Sequence, residues 1–156
     1  MGRAGVPHPD LFFYTDFTAR VDPVLDGAYL DRYHGTVNAE WLADRADDAF
    51  TPFTSIDPYI RLSASPVAQG YSAELTEENL QKVFSIAHRY LDTWLGWIAD
   101  AEPTPPELIE SVRARDTAIR KQQGFRDPAN PIGVKFFGEE KGRYLLSGLW
   151  GMDVYE

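Results

Sequence analysis

An α+β fold, or an α/β fold with helices flanking a sheet, is what this sequence predicts. The run Leu11-Phe-Phe-Tyr-Thr-Asp-Phe17 is aromatic and β-branched and reads as a strand. Two long stretches, residues 76–100 and 104–124, carry apolar residues at helical spacing. A shorter apolar helix follows Gly138 and ends at Leu149-Trp150. Elements in that order pack as a sheet covered by helices. With 156 residues, 44% apolar and 13% aromatic, one domain over 1–156 is expected, burying roughly 68–70% of its unfolded surface. Residues 1–10 read as a loose, Gly/Pro-rich start.

The totals also exclude functions. Formal net charge is −9, which argues against nucleic-acid binding, because that affinity comes from neutralising phosphates. The absence of cysteine excludes disulfides, zinc–thiolate sites, iron–sulfur clusters held by this chain and thiol catalysis. No apolar stretch approaches the ~20 residues of a membrane span, and the first residues lack the apolar core of a secretory signal. A cytoplasmic protein with no membrane contact is the expectation.

In chain order, strand 11–17 is apolar on both sides until Thr15, as in a central strand. Alternation puts Phe13, Thr15 and Phe17 on one face and Phe12, Tyr14 and Asp16 on the other. Asp16 is either an acid within the strand or a cap at its end. A short helical piece is expected over Ala28–Tyr33, then a helix from an Asn38 cap to about Ala46, burying Trp41 and Leu42. Asp44, Asp47 and Asp48 could ligate a metal, but they lack the glycine and terminal glutamate of an EF-hand loop, so no metal site is assigned. Tyr59 to Ala64 alternates and reads as a second strand, with Tyr59, Arg61 and Ser63 on its polar face. That face is either solvated or able to grip a carboxylate through Arg61.

Thr76 is a candidate cap for the long helix 76–100, with Glu77 and Glu78 at its positive end. Leu80, Val83, Phe84, Ala87, Leu91, Trp94, Leu95 and Ile98 form its apolar stripe. His88 sits at the stripe's edge, where a histidine is either packed and hydrogen-bonded or turned to a ligand. Thr104-Pro-Pro-Glu107 starts the next helix, and Leu108, Ile109, Val112 and Ile119 form its buried edge. Gly124 ends it, and a proline-bracketed turn over Asp127–Pro131 follows. Arg113, Arg115, Arg120, Lys121 and Arg126 lie together with only Asp116 among them. Such a strip is either a solvated face or a surface that steers an anionic partner. Asp116, beside the inward face, is either salt-bridged or a buried acid with a raised pKa. Two clear strands are too few for a stable sheet, so either further strands exist or another chain completes it.

No dinucleotide fingerprint, phosphate loop, nucleophile elbow or zinc-protease motif occurs in the sequence. Acids in an aromatic setting and arginines remain. They suit a planar, carboxylate-bearing molecule: aromatics stack on it, arginines hold its acid groups and an aspartate donates protons.

The closing stretch, GFRDPANPIGVKFFGEEKGRYLLSGLW, resembles the C-terminal signature of the ferredoxin-dependent bilin reductases: an Asp-Pro-Ala turn, a Phe-Gly-Glu-Glu step and a last helix with an aromatic tip. Strand 11–17 resembles the family's central strand. Pro52-Phe-Thr-Ser55 with Tyr59-Ile-Arg61 resembles its Phe-Ser-Pro…Arg segment. The order of the later helices also agrees, from about residue 9 to 150. The resemblance implies an α/β/α sandwich with an antiparallel sheet flanked by helices, here incomplete within one chain because the family's N-terminal strands have no counterpart. It implies reduction of a linear tetrapyrrole such as biliverdin by ferredoxin electrons through radical intermediates, with no flavin or metal in the chain. Asp116 and Asp16 become the candidate proton donors. Arg61, Phe13, Tyr59 and His88 become the candidate substrate-binding residues. Arg113, Arg120, Lys121 and Arg126 become the ferredoxin-docking strip. The alternatives are a non-catalytic tetrapyrrole carrier, and a subunit that completes the sheet of a partner or of a second copy of itself.

Overall fold

The computed structural model describes residues 11–151. The expectation of a loose start over residues 1–10 lies outside them. The fold is α+β: a small three-stranded antiparallel sheet and a majority of helix. In chain order the elements are β1 (Leu11–Thr15), α1 (Gly27–Tyr29), a π-helical segment (Leu30–Gly35) and α2 (Thr36–Arg45). These are followed by β2 (Thr51–Pro52), α3 (Pro58–Ser63), β3 (Gln69–Ala73) and α4 (Glu77–Ala99). A 3₁₀ turn (Pro106–Leu108), α5 (Ile109–Arg126), α6 (Asn130–Phe137) and α7 (Glu139–Trp150) complete the chain. The chain divides into two compact units. Among the described residues, the first holds 11–18, Pro23–Phe53 and Ser65–Pro103, and the second holds Ala19–Asp22, Thr54–Ala64 and 104–151.

In the first unit the strands run in the order β1-β3-β2, with Phe13 opposite Tyr71 and Tyr14 opposite Gly70. The central strand, β3, is one the sequence reading missed. Its residues, Gln-Gly-Tyr-Ser-Ala, carry no β-branched side chain, yet Gln69, Gly70, Tyr71 and Ala73 are buried. Gly70 is required there: a Cβ would lie 2.9 Å from the Phe53 carbonyl oxygen, whose residue also pairs with Gly70 through Phe53 N–H. One face of the sheet forms the core. Tyr71, Ala73 and Phe50 meet Val83, Ile86 and Tyr90 of α4, with Leu11, Phe13 and Phe17 packed against them. Phe17 stacks on Tyr90 at 4.4 Å between ring centres. Burying side chains of this size contributes about 1.5–3 kcal/mol each.

The long helix stands where expected, and Thr76 caps it by accepting from Asn79 N–H at 3.1 Å. Its buried face differs. Asn79, Val83, Ile86 and Tyr90 are buried, whereas Phe84, Leu91, Trp94, Leu95 and Ile98 are about half exposed. Of the expected stripe, Val83 is in the core and Leu80 and Ala87 are half-buried, while its larger members lie beside the core face. Aromatic Tyr90 and Trp97 reach the Phe17 ring in place of the leucines.

The amino-terminal helices also differ from expectation. Asp26 caps α1 through Tyr29 N–H at 2.9 Å. The chain then passes through the π segment directly into α2, so Asn38 is an interior residue and not a cap. Leu42 is exposed, and Trp41 donates its indole N–H to Ala68 O at 3.0 Å. Asp44 and Asp47 are ion-paired with Arg89 and Lys82.

In the second unit, Tyr59–Ala64 is not a strand. Pro58–Ser63 is helical because Asp57 caps it, accepting from Tyr59 N–H at 2.8 Å and Ile60 N–H at 3.1 Å, while Pro58 fills the first helical position. Ile60 and Ser63, three apart, are buried, and Leu62 is exposed. α5 starts later than expected, at Ile109 after the 3₁₀ turn, so Thr104 does not cap it. It runs past Gly124 to Arg126. Leu108 and Ile109 stay exposed while Val112 and Gln123 are buried. The expected turn survives only at Asp127, whose carboxylate accepts from Ala129 N–H at 2.8 Å, and Asn130 already begins α6.

The closing helix matches expectation. Gly138, at φ 81°, separates α6 from α7, and Gly151 at φ 59° ends α7 in the left-handed conformation that glycine favours. α6 and α7 touch at Gly142, where a Cβ would lie 2.7 Å from Val134 Cα. Gly142→Ala should therefore cost about 1–3 kcal/mol by forcing the two helices apart. A urea titration checks this: an unchanged midpoint would show that the helices separate without penalty.

Candidate functional site

Asp16 is a half-buried acid of the first unit. It follows directly on β1, so the strand-end reading holds. Ser65 N–H approaches both carboxylate oxygens, Oδ1 at 3.3 Å and Oδ2 at 3.1 Å. The hydroxyls of Tyr14 and Thr18 each donate to Oδ2 at 3.3 Å. Burial pushes the Asp16 carboxyl above its ordinary 3.8, against the lowering pull of these hydrogen bonds. A carboxylic acid held towards its neutral form can deliver a proton at neutral pH. Beside it, the outer face of the sheet presents Phe12 and Tyr14 on β1, both exposed, with Phe53 set edge-on to Phe12 at 5.9 Å.

Sequence reasoning passed over His34. The π-helical segment inserts an extra residue in the turn, and such insertions recur at functional sites. Here it turns His34 inward until 2% is exposed. Nε2 lies 3.0 Å from Phe17 O, the residue after Asp16, and Nδ1 is buried with no protein partner among the described residues. The adjoining rings of Tyr29, Tyr33, Trp97, Phe17 and Tyr90 form a continuous aromatic wall. The signal available in the sequence was the Tyr29-x₃-Tyr33-His34 spacing, in which a 3.6-residue period puts the two tyrosines on one face and turns His34 away from them.

Asp116 belongs to the second unit and takes the salt-bridged alternative. Its Oδ2 accepts from Arg20 Nε at 3.0 Å and Nη2 at 2.6 Å. The pair borders a cleft of about 310 Å³ that Arg113, Thr117 and Arg120 also line. Tyr59 lies under the Arg126 guanidinium at 5.5 Å, and Arg126 is paired with Asp57 at 3.0 Å. Arg61 reaches back along its own chain, donating to Ser55 O and Ile56 O at 2.9 Å each. That follows from the helical conformation, which denies it the strand's polar face. Lys121 and Arg126 border a broad groove of about 1530 Å³, floored by Phe125, Val134, Leu145 and Leu149.

The predicted residues are thus dispersed. Phe13 faces the core of the first unit, and His88 is exposed on α4. Tyr59, Arg61 and the basic strip lie in the second unit. No group of three or more His, Cys, Asp or Glu side chains among the described residues could hold a metal. No helix among them is long and apolar enough to cross a membrane.

No family model matches the chain, and no curated protein does. Among solved structures the chain is similar to phytochromobilin synthase from tomato, crystallised in complex with biliverdin. The TM-score is 0.70 at 15% sequence identity, over 89% of this chain and 49% of that one. The chain thus spans about half the length of the structure it matches, and what the two share is the fold.

Proposed function

We propose that the protein is a tetrapyrrole-related oxidoreductase that binds a linear tetrapyrrole such as biliverdin and reduces it with electrons from ferredoxin. The observation that carries the reading is Asp16: a carboxyl pushed towards its neutral form by burial, beside an exposed aromatic sheet face. The fold it stands in is also that of a protein crystallised with biliverdin. Two single electrons and two protons add across one conjugated double bond, through a radical after the first electron. Asp16 supplies one proton and solvent the other; Asp116, the second acid singled out in the sequence, is ion-paired with Arg20. In the same unit as Asp16, Phe12, Tyr14 and Phe53 offer the aromatic surface on which a planar molecule stacks. Arg113, Arg120 and Lys121 supply positive charge for an acidic electron donor.

The test is the absorbance spectrum of the protein with biliverdin, before and after addition of a ferredoxin reducing system. The expected result is a shifted bilin band that changes again on reduction. A band that forms and stays unchanged would leave the carrier reading. No band would refute tetrapyrrole binding.

A second reading is a subunit that completes another chain's sheet. β1 lies at the sheet's edge, paired only with β3 among the described residues. Phe84, Leu91, Trp94 and Ile98 leave an apolar stripe on α4 about half exposed. A monomer in light scattering, stable alone, would dismiss this reading.

A further inference from the structure

The cleft beside Asp116 has the chemistry of a binding site in its own right. Arg113 and Arg120 stand two turns apart on one face of α5, with Thr117 between them. Arg20 and Thr104 line the same cleft, and Ile109 and Val112 form its apolar wall. Arg20 grips Asp116 through two nitrogens, the two-pronged geometry that guanidinium makes with carboxylate or phosphate. Arg113 and Arg120 have no ion-pair partner within 4.0 Å among the described residues, so three guanidiniums face one carboxylate.

We propose that this cleft binds a small, doubly charged oxyanion, a phosphate or a dicarboxylate, between Arg113 and Arg120, with Thr117 as a neutral donor. Two guanidiniums without an ion-pair partner among the described residues match two negative charges, and the volume suits a small molecule or one end of a larger one. Asp116 already occupies one such position, on Arg20. The ligand takes the remaining two arginines, with the Arg20–Asp116 pair as the wall of the site. A flat, steering surface would need neither the concavity nor the hydroxyls.

The experiment is calorimetric titration of the whole chain at low ionic strength with inorganic phosphate and, separately, malonate. At least one of them should bind at a single saturable site with a sub-millimolar Kd. Arg113→Gln and Arg120→Gln should each weaken it by about tenfold or more, since a hydrogen bond to a charged group contributes roughly 1.5–3 kcal/mol. Both side chains are exposed, so thermal melting of the variants should match the parent. Phosphate binding alone assigns a phosphate ligand, and malonate binding alone a carboxylate. No saturable binding of either at tens of millimolar, or equal binding by the double variant, overturns the proposal. Neither probe is a bilin, so this result and the biliverdin titration succeed or fail separately.

Discussion

Asp16→Asn should lower the rate of the proposed tetrapyrrole reduction by about 10²-fold or more while leaving the protein at least as stable at neutral pH. Proton delivery by a positioned acid typically contributes 10²–10⁴-fold, and an amide cannot supply it. The amide oxygen still accepts from Ser65 N–H and from the Tyr14 and Thr18 hydroxyls, so the local structure survives. The stability effect has a definite sign. Burial raises the Asp16 pKa in the folded state above 3.8, so the folded protein holds this proton more tightly than the unfolded chain. Below the unfolded value both states are protonated and the residue costs nothing. As pH rises through the folded pKa, the buried charge weakens the native state, and the loss is complete above it. The variant escapes that loss. Its melting temperature should equal or exceed the parent's at pH 7, with the advantage shrinking towards pH 4. Turnover and melting curves across that range are the measurements. Unchanged turnover would remove Asp16 from catalysis, and a lower melting temperature at pH 7 would mean that its charge stabilises the fold.

The elements legible in the sequence were those whose local chemistry agrees with their packing. β1 is aromatic and β-branched, α4 carries its Thr76 cap, and α7 lies between two glycines at positive φ. Where local pattern and tertiary packing disagree, the pattern misled. Tyr59–Ala64 alternates well enough for a strand, yet the Asp57 cap with Pro58 behind it starts a helix. That two-residue signal outweighs six residues of alternation because it satisfies two otherwise unpaired amide groups. β3 gives no local signal because its place is decided by partners on both sides. Gly70 is there for a close approach and Gln69 for a buried hydrogen bond, and neither favours a strand on its own.

The candidate site was legible in residue type and less so in geometry. An aspartate at the end of an aromatic strand was visible, and its burial follows from contacts with Ser65, 49 residues away. The Arg20–Asp116 pair spans 96 residues, and nothing in the basic strip announces that its one carboxylate has a partner near the start of the chain. Arg61 was placed on a strand's polar face, and with the strand replaced by a helix its guanidinium is spent on neighbouring carbonyls. His34 escaped because its inward turn depends on a π-helical insertion, which hydropathy periodicity does not encode.

The largest stability effect should come from Asp44→Ala, at about 2–4 kcal/mol. Asp44 ends a buried polar chain that runs from the centre of the sheet to α4. Tyr71 donates its hydroxyl to Gln69 Oε1, Gln69 Nε2 donates to Asp44 Oδ2 at 2.6 Å, and Arg89 Nη2 closes on the same oxygen. Tyr71 is 1% exposed and Gln69 fully buried, so water cannot replace a lost partner. Removing the carboxylate strands the Gln69 amide and leaves Arg89 with Glu40 alone. Glu40 Oε2 lies 2.9 Å from Arg89 Nε without the angle of a hydrogen bond, a contact of charge on charge. The buried Gln69 amide keeps its whole desolvation penalty, whereas Arg89, 32% exposed, keeps only part of its own. Asp44→Asn, which keeps an acceptor oxygen, should lose less. The same variants report on Tyr71, whose phenol is pushed up to about 12, by burial first and by Asp44 second. With Asp44 removed and burial intact, ultraviolet titration of the folded protein should still place that phenol above 10.0. Urea midpoints for both variants decide the matter. If Asp44→Ala unfolds within about 0.5 kcal/mol of the parent, as an ordinary surface substitution does, the chain does not tie α2 and α4 to the sheet, and the hydrophobic face of α4 holds the first unit together alone.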